Sequence, residues 1–228
     1  MQNDVYDYTS SGAVPAETVL RKTYGLLGLS FIPAAAGAFV GSQMGFSLMS
    51  AFGNRWIAFG VVLAFFYGMI YIIEKNRYTN VGATLLMVFT FGMGLLISPL
   101  LTHALGVANG AQIVGTAAVM TAAVFFVMSA MARRANVNTH ALGRFLTVGV
   151  VVLMVGVVAN IFFQLPALHL ALCAGFVIFS SLMIMWQVRT VIDGGEDSHI
   201  SAALTIFISL YNIFSSLLQI LLSFNSDD

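Results

Sequence analysis

Residues 200–224 read ISAALTIFISLYNIFSSLLQILLSF, a run without a single charged side chain. At 1.5 Å per residue, about 20 mostly apolar residues cross the hydrocarbon core of a bilayer as a helix. This run is long enough. Polar groups recur along it: Ser209, Asn212, Ser215 and Ser216. In lipid such groups must bond to backbone carbonyls or to a neighbouring helix. Their concentration here predicts a final helix enclosed by others rather than facing lipid.

The preceding stretch, IMWQVRTVIDGGEDSHI (184–200), joins this run to another apolar one. Arg189 is placed to extend to the interface while its stem stays among apolar groups. Asp193 lies one turn on and can pair with it. Gly194-Gly195 is a helix stop, and Asp197 or Ser198 is a candidate cap for the last helix. Most of the stretch thus reads as a helix end reaching water.

Five further apolar runs lie upstream, giving seven spans near 23–46, 55–73, 79–102, 111–132, 142–163, 167–189 and 200–224. Short links separate them, among them EKNRYT, HALGVANG, ARRANVNTH, QLPAL and DGGEDSH, with Pro166 preventing the fifth and sixth from fusing. Composition agrees. Of 228 residues 59% are hydrophobic and 8% charged, against about a quarter charged in soluble domains. The expected fold is an all-α integral membrane protein with a polar tail over residues 1–20 and a seven-helix transmembrane domain over 21–228. The tail has no basic region followed by an apolar core, so it does not read as a secretory signal.

With the N-terminus inside, Arg21, Lys22, Lys75, Arg77, Arg133, Arg134, Arg144 and Arg189 all fall on the inner side, and Arg55 alone on the outer. Positive residues favour the cytoplasm. The N-terminus is therefore expected in the cytoplasm and the C-terminus on the far side.

Several chemistries find no support. There is no HExxH and no GxSxG. The lysines, Lys22 and Lys75, are too early for a late-helix Schiff base. His103 and His169 fall near the outer face and His140 and His199 near the inner, so the four cannot share a metal, although a His103/His169 pair stays open. No metal, no cofactor and no enzyme activity is expected. A net charge of zero argues against a nucleic-acid partner. Cys173 is the only cysteine, so no internal disulfide can form. The interior polar candidates are Asn160, Gln164, Gln187, Arg189, Ser209 and Asn212. No carboxylate lies deep in a span, which counts against a proton relay or cation pump. Gly37, Gly41 and Gly45 repeat at GxxxG spacing, as a surface for close helix approach either inside the bundle or between copies.

At VANIFFQLPALHLA and GGEDSHISAALTIFISLYNIFSSLLQIL the chain resembles the Bax inhibitor-1 family, and within it the bacterial YccA-like branch. The resemblance covers essentially the whole chain. It implies six helices around a central C-terminal helix, and a bacterial inner-membrane location with the C-terminus in the periplasm. It further implies association with, and modulation of, the FtsH-type membrane AAA protease and its membrane partners. The wider family implies an alternative, a pH-linked calcium or cation leak. That leak uses one acid late in the sixth helix and one in the seventh, within a pattern like LYLDxxNxF. Here those positions map onto Gln187 and Ser209. Neither titrates, so the shared-proton switch of paired carboxylates is absent from this pattern.

Overall fold

The computed structural model describes residues 15–47, 52–134 and 138–225. Seven helices follow one another: α1 (Ala16–Gln43), α2 (Arg55–Lys75), α3 (Asn80–Gly106), α4 (Gly110–Arg134), α5 (Thr139–Phe163), α6 (Pro166–Ile192) and α7 (His199–Asn225). All seven are long and apolar enough to cross a membrane, and no strand occurs among the described residues. Consecutive helices run in opposite directions. Side chains tie the helix ends across the bundle: Trp186 Nε1 donates to the Thr139 carbonyl (3.1 Å) and Ser198 Oγ to the Arg77 carbonyl (2.7 Å).

Local chemistry sets the boundaries. Asn54, Thr79 and Asn138 accept from backbone N–H groups at the starts of α2, α3 and α5, satisfying donors that the first turn leaves unbonded. Pro166 occupies the first position of α6, where its missing N–H costs nothing. Ser198 Oγ accepts from Ser201 N (3.2 Å) at the start of α7. Gly194 opens the link after α6 with φ +76°, a conformation open to glycine.

Two expectations change at α1. It begins at Ala16, so residues 16–20 belong to the helix; residues 1–14 of the expected tail lie outside the described residues. It stops at Gln43, and Gly45 sits beyond the helix at φ +59°. The third glycine of the spacing is thus a turn residue. The other two face α3. A Cβ on Gly37 would collide with the Phe91 carbonyl and one on Gly41 with Ser98. From the opposite side a Cβ on Gly94 would collide with the Ala34 carbonyl. Glycines on both helices bring the two backbones together, and α1–α3 is the most extensive helix pair in the molecule.

α7 is the most buried of the seven, with Ile206, Ile213 and Leu218 fully enclosed. Five helices pack along it, α1, α2, α3, α4 and α6, rather than the six expected. α5 packs on α6 instead. Its glycines receive α6 side chains: Trp186 lies against Gly143 and Phe179 against Gly149, each 3.2 Å from where a Cβ would stand. The remaining surface of α5 is mostly exposed, with Phe145, Val151 and Phe162 facing outward.

Candidate functional site

One end of the bundle carries Arg21, Lys22, Lys75, Arg77, Arg133, Arg134 and Arg189 at helix ends or in links, and Arg144 on the second turn of α5. At this basic end two links far apart in sequence are clasped together. Arg77, between α2 and α3, meets Glu74 (3.3 Å), Glu196 and Asp197 (3.6 Å). Tyr78 donates its hydroxyl to Asp197 (2.8 Å), and that bond holds the phenol above its ordinary range. Ser201 donates to Glu74 Oε1 (2.7 Å), and Ser198 N to Glu196 Oε1 (2.8 Å). The Arg77 guanidinium also lies 5.1 Å from the Tyr78 ring centre. Hydrogen bonds to charged groups are the stronger kind, and here they join the end of α2 to the start of the central helix.

The clasp is half-open to solvent at Arg77, 28% exposed, but Glu196 is only 12% exposed. Arg77→Ala strands that carboxylate. Removing one partner of a partly enclosed pair should cost about 2 kcal/mol, which for a chain of this size lowers the melting temperature by roughly 4–8 °C. Thermal unfolding in detergent checks this. Arg77→Lys should restore only part of the loss, because an ammonium lacks the planar fork that reaches several acceptors at once.

The residues singled out from sequence divide between three places. Arg189 pairs with Asp193 (2.9 Å) at the end of α6, as the spacing indicated. Gln187 and Ser209 are both buried, each 3% exposed. Ser209 donates to the Thr205 carbonyl of its own helix (2.8 Å), and no hydrogen bond joins it to Gln187 among the described residues. Asn160 and Asn212 lie toward the opposite end, where both line a cavity of about 260 Å³ between α5, α6 and α7 with His169, Cys173 and Gln219. Asn160 Oδ1 is buried there without a hydrogen-bond partner. Gln164 is not an interior group. It is an exposed residue at φ 51° that terminates α5, its N–H returning to the Asn160 carbonyl (2.9 Å). His169 lies 3.8 Å from Cys173, and His103 is exposed at the end of α3. No group of three metal-ligating residues occurs among the described residues.

The clasp escaped the sequence reading. Its partners are separated by 119 or more positions, and each half looks like an ordinary charged link. One signal was available: two acid-bearing links, one with Glu74 and one with Glu196 and Asp197, on the side where cations predominate.

Comparison with known proteins covers the same length. The profile of the family described as inhibitor of apoptosis-promoting Bax1 matches residues 16–226. An uncharacterized protein of Neisseria meningitidis serogroup A is 71% identical over 228 residues, covering all of both chains. A protein of Escherichia coli K12 named modulator of FtsH protease YccA is 36% identical over 208 residues, covering 89% of each chain. Its counterpart in Escherichia coli O6:H1, equally similar, is named inner membrane protein YccA. With seven spanning helices, a buried final helix and a family match across nearly its whole length, the chain belongs to the Bax inhibitor-1 family.

Proposed function

We propose that this protein is a regulatory component of a bacterial inner membrane that associates with an FtsH-type protease and modulates it. The observation that carries this reading is the 36% identity to the Escherichia coli protein named as a modulator of that protease, across 89% of each chain. The N-terminus lies in the cytoplasm, a placement supported by the cations gathered at the end where α1 begins.

The mechanism follows from what is attached to what. A membrane AAA protease takes hold of an exposed chain end and pulls, and residues 1–14 precede α1 on the cytoplasmic side. Force on that end is transmitted to α1. α1 is locked against α3 by backbone-to-backbone packing at Gly37 and Gly94, and the start of α7 is clasped to Arg77. The protease would thus hold a segment that it extracts slowly, and be restrained while doing so.

Deleting residues 2–14 should lengthen the protein's lifetime in cells that contain the protease, by several-fold in a pulse-chase, and leave it unchanged in cells that lack it. An identical lifetime for the deleted and full-length proteins would remove the tail from the mechanism. The cation-leak alternative finds no ionisable pair at Gln187 and Ser209 to work with.

A further inference from the structure

The backbones of α1 and α4 stay apart, and the two helices touch through side chains such as Tyr24 and Phe125. Between the two helices, with α3 and α7 behind, runs a cleft of about 520 Å³ whose lining is almost wholly apolar. The space exists because the facing positions are small: Ala34, Ala35 and Ala38 on α1, Ala118 and Ala122 on α4. Along α1 the cleft extends from Leu27 to Ala38, or ~16 Å at the helical rise, about half of the ~30 Å hydrocarbon thickness. That is the length of one leaflet's hydrocarbon, starting five residues in from Lys22.

The two faces that line it continue to the basic end, where their chemistry changes. On α4 the stripe Ala118, Ala122, Phe125 runs on at helical spacing to Ser129 and Arg133; on α1 it reaches Tyr24. Tyr24 packs edge-on to Phe125 (5.8 Å between ring centres), and the Arg133 guanidinium lies 6.0 Å from the Tyr24 ring centre. The hydroxyls of Tyr24 and Ser129 are buried without a hydrogen-bond partner among the described residues, Ser129 being 8% exposed. Arg21, Lys22, Arg133 and Arg134 stand at the same end of these two helices, and among the described residues none is ion-paired. Glu17 is the single acid on the described parts of these two helices.

We propose that this cleft is a binding site for one anionic phospholipid of the leaflet at the basic end. One acyl chain lies in the alanine-lined cleft. The glycerol ester oxygens accept from Ser129 and Tyr24, and the headgroup phosphate sits against Arg133 with Arg134 and the α1 cations around it. Each element answers a feature that packing alone leaves unsatisfied: an apolar space of one-leaflet length, two buried hydroxyl donors, and unpaired cations above them. Basic pockets at the membrane surface between helices suit anionic headgroups.

The test uses the full chain, purified in detergent and exchanged against micelles containing phosphatidylglycerol or phosphatidylcholine of the same acyl chains, with retained lipid counted by native mass spectrometry. About one phosphatidylglycerol per protein should survive conditions that strip phosphatidylcholine. Arg133→Gln should weaken phosphatidylglycerol retention about five-fold, and Arg133→Gln with Arg134→Gln about thirty-fold, at unchanged melting temperature. Ala118→Trp, which fills the cleft, should remove retention, whereas Ala36→Trp, outside the cleft, should not. Equal retention of the two lipids, or retention unmoved by the Arg133 variants, would overturn the proposal. So would a lipid-free dimer or a bound polypeptide that Ala118→Trp displaces, since either would make the cleft a protein-docking surface.

Discussion

Gly94→Leu is expected to leave little or no folded protein in the membrane. The side chain must begin where the Ala34 carbonyl and the Ala38 amide already stand, and neither is the flexible end of a side chain that can swing aside. α1 and α3 would have to separate along their most extensive contact, opening Gly37 and Gly41 as well. Overpacking a well-filled interface commonly costs 1–3 kcal/mol. Here backbone must move, and the loss should exceed about 4 kcal/mol, a large part of a typical domain's stability. The control is on the same helix pair: Gly28 has nothing within reach of an added Cβ, so Gly28→Leu should fold normally. Size-exclusion chromatography of both variants in detergent checks this, and a monodisperse, wild-type-like Gly94→Leu would mean that α1 and α3 are farther apart than described. If slow extraction of α1 is what restrains the protease, any residual Gly94→Leu should also be degraded much faster than wild type.

The second large effect is expected from restoring carboxylates with Gln187→Glu and Ser209→Asp together. Both positions are 3% exposed and lie inside the spans, where an added carboxyl group is buried without the water that would hydrate it. An unsatisfied buried polar group costs about 1–3 kcal/mol, more where it is charged. The double variant should therefore lose roughly 4 kcal/mol and melt some 8–16 °C below wild type. Thermal melts of the two proteins in detergent decide it; a variant as stable as wild type would place both positions in contact with water. The same proteins in liposomes address the leak alternative. Wild type should show background calcium flux, and a wild-type leak would count against the regulatory reading.

Span number was legible because a bilayer imposes a length on every apolar run, and each of the seven was present with a polar link on both sides. The buried final helix was legible from Ser209, Asn212 and Ser216, since polar groups in a span need protein around them. What the sequence did not disclose depends on the third dimension. Gly45 looked equivalent to Gly37 and Gly41, because spacing carries no information on where a helix stops. α5 is as apolar as its neighbours, so nothing marked it as the helix held away from α7. Gln164 looked like an interior amide and proved to be a helix terminator, its left-handed backbone invisible in a residue name. Arg77 and Glu196 appeared as unrelated loop charges until the bundle closed and brought α2 to the start of α7.

The most direct test of the regulatory account is gentle isolation of the full-length protein from its own membrane, with quantification of what accompanies it. The account predicts an FtsH-type protease at near-equal amounts, retained when wild type is isolated and reduced when residues 2–14 are deleted. Recovery of the protein free of any protease, under conditions that keep the protease's own assembly intact, would contradict it.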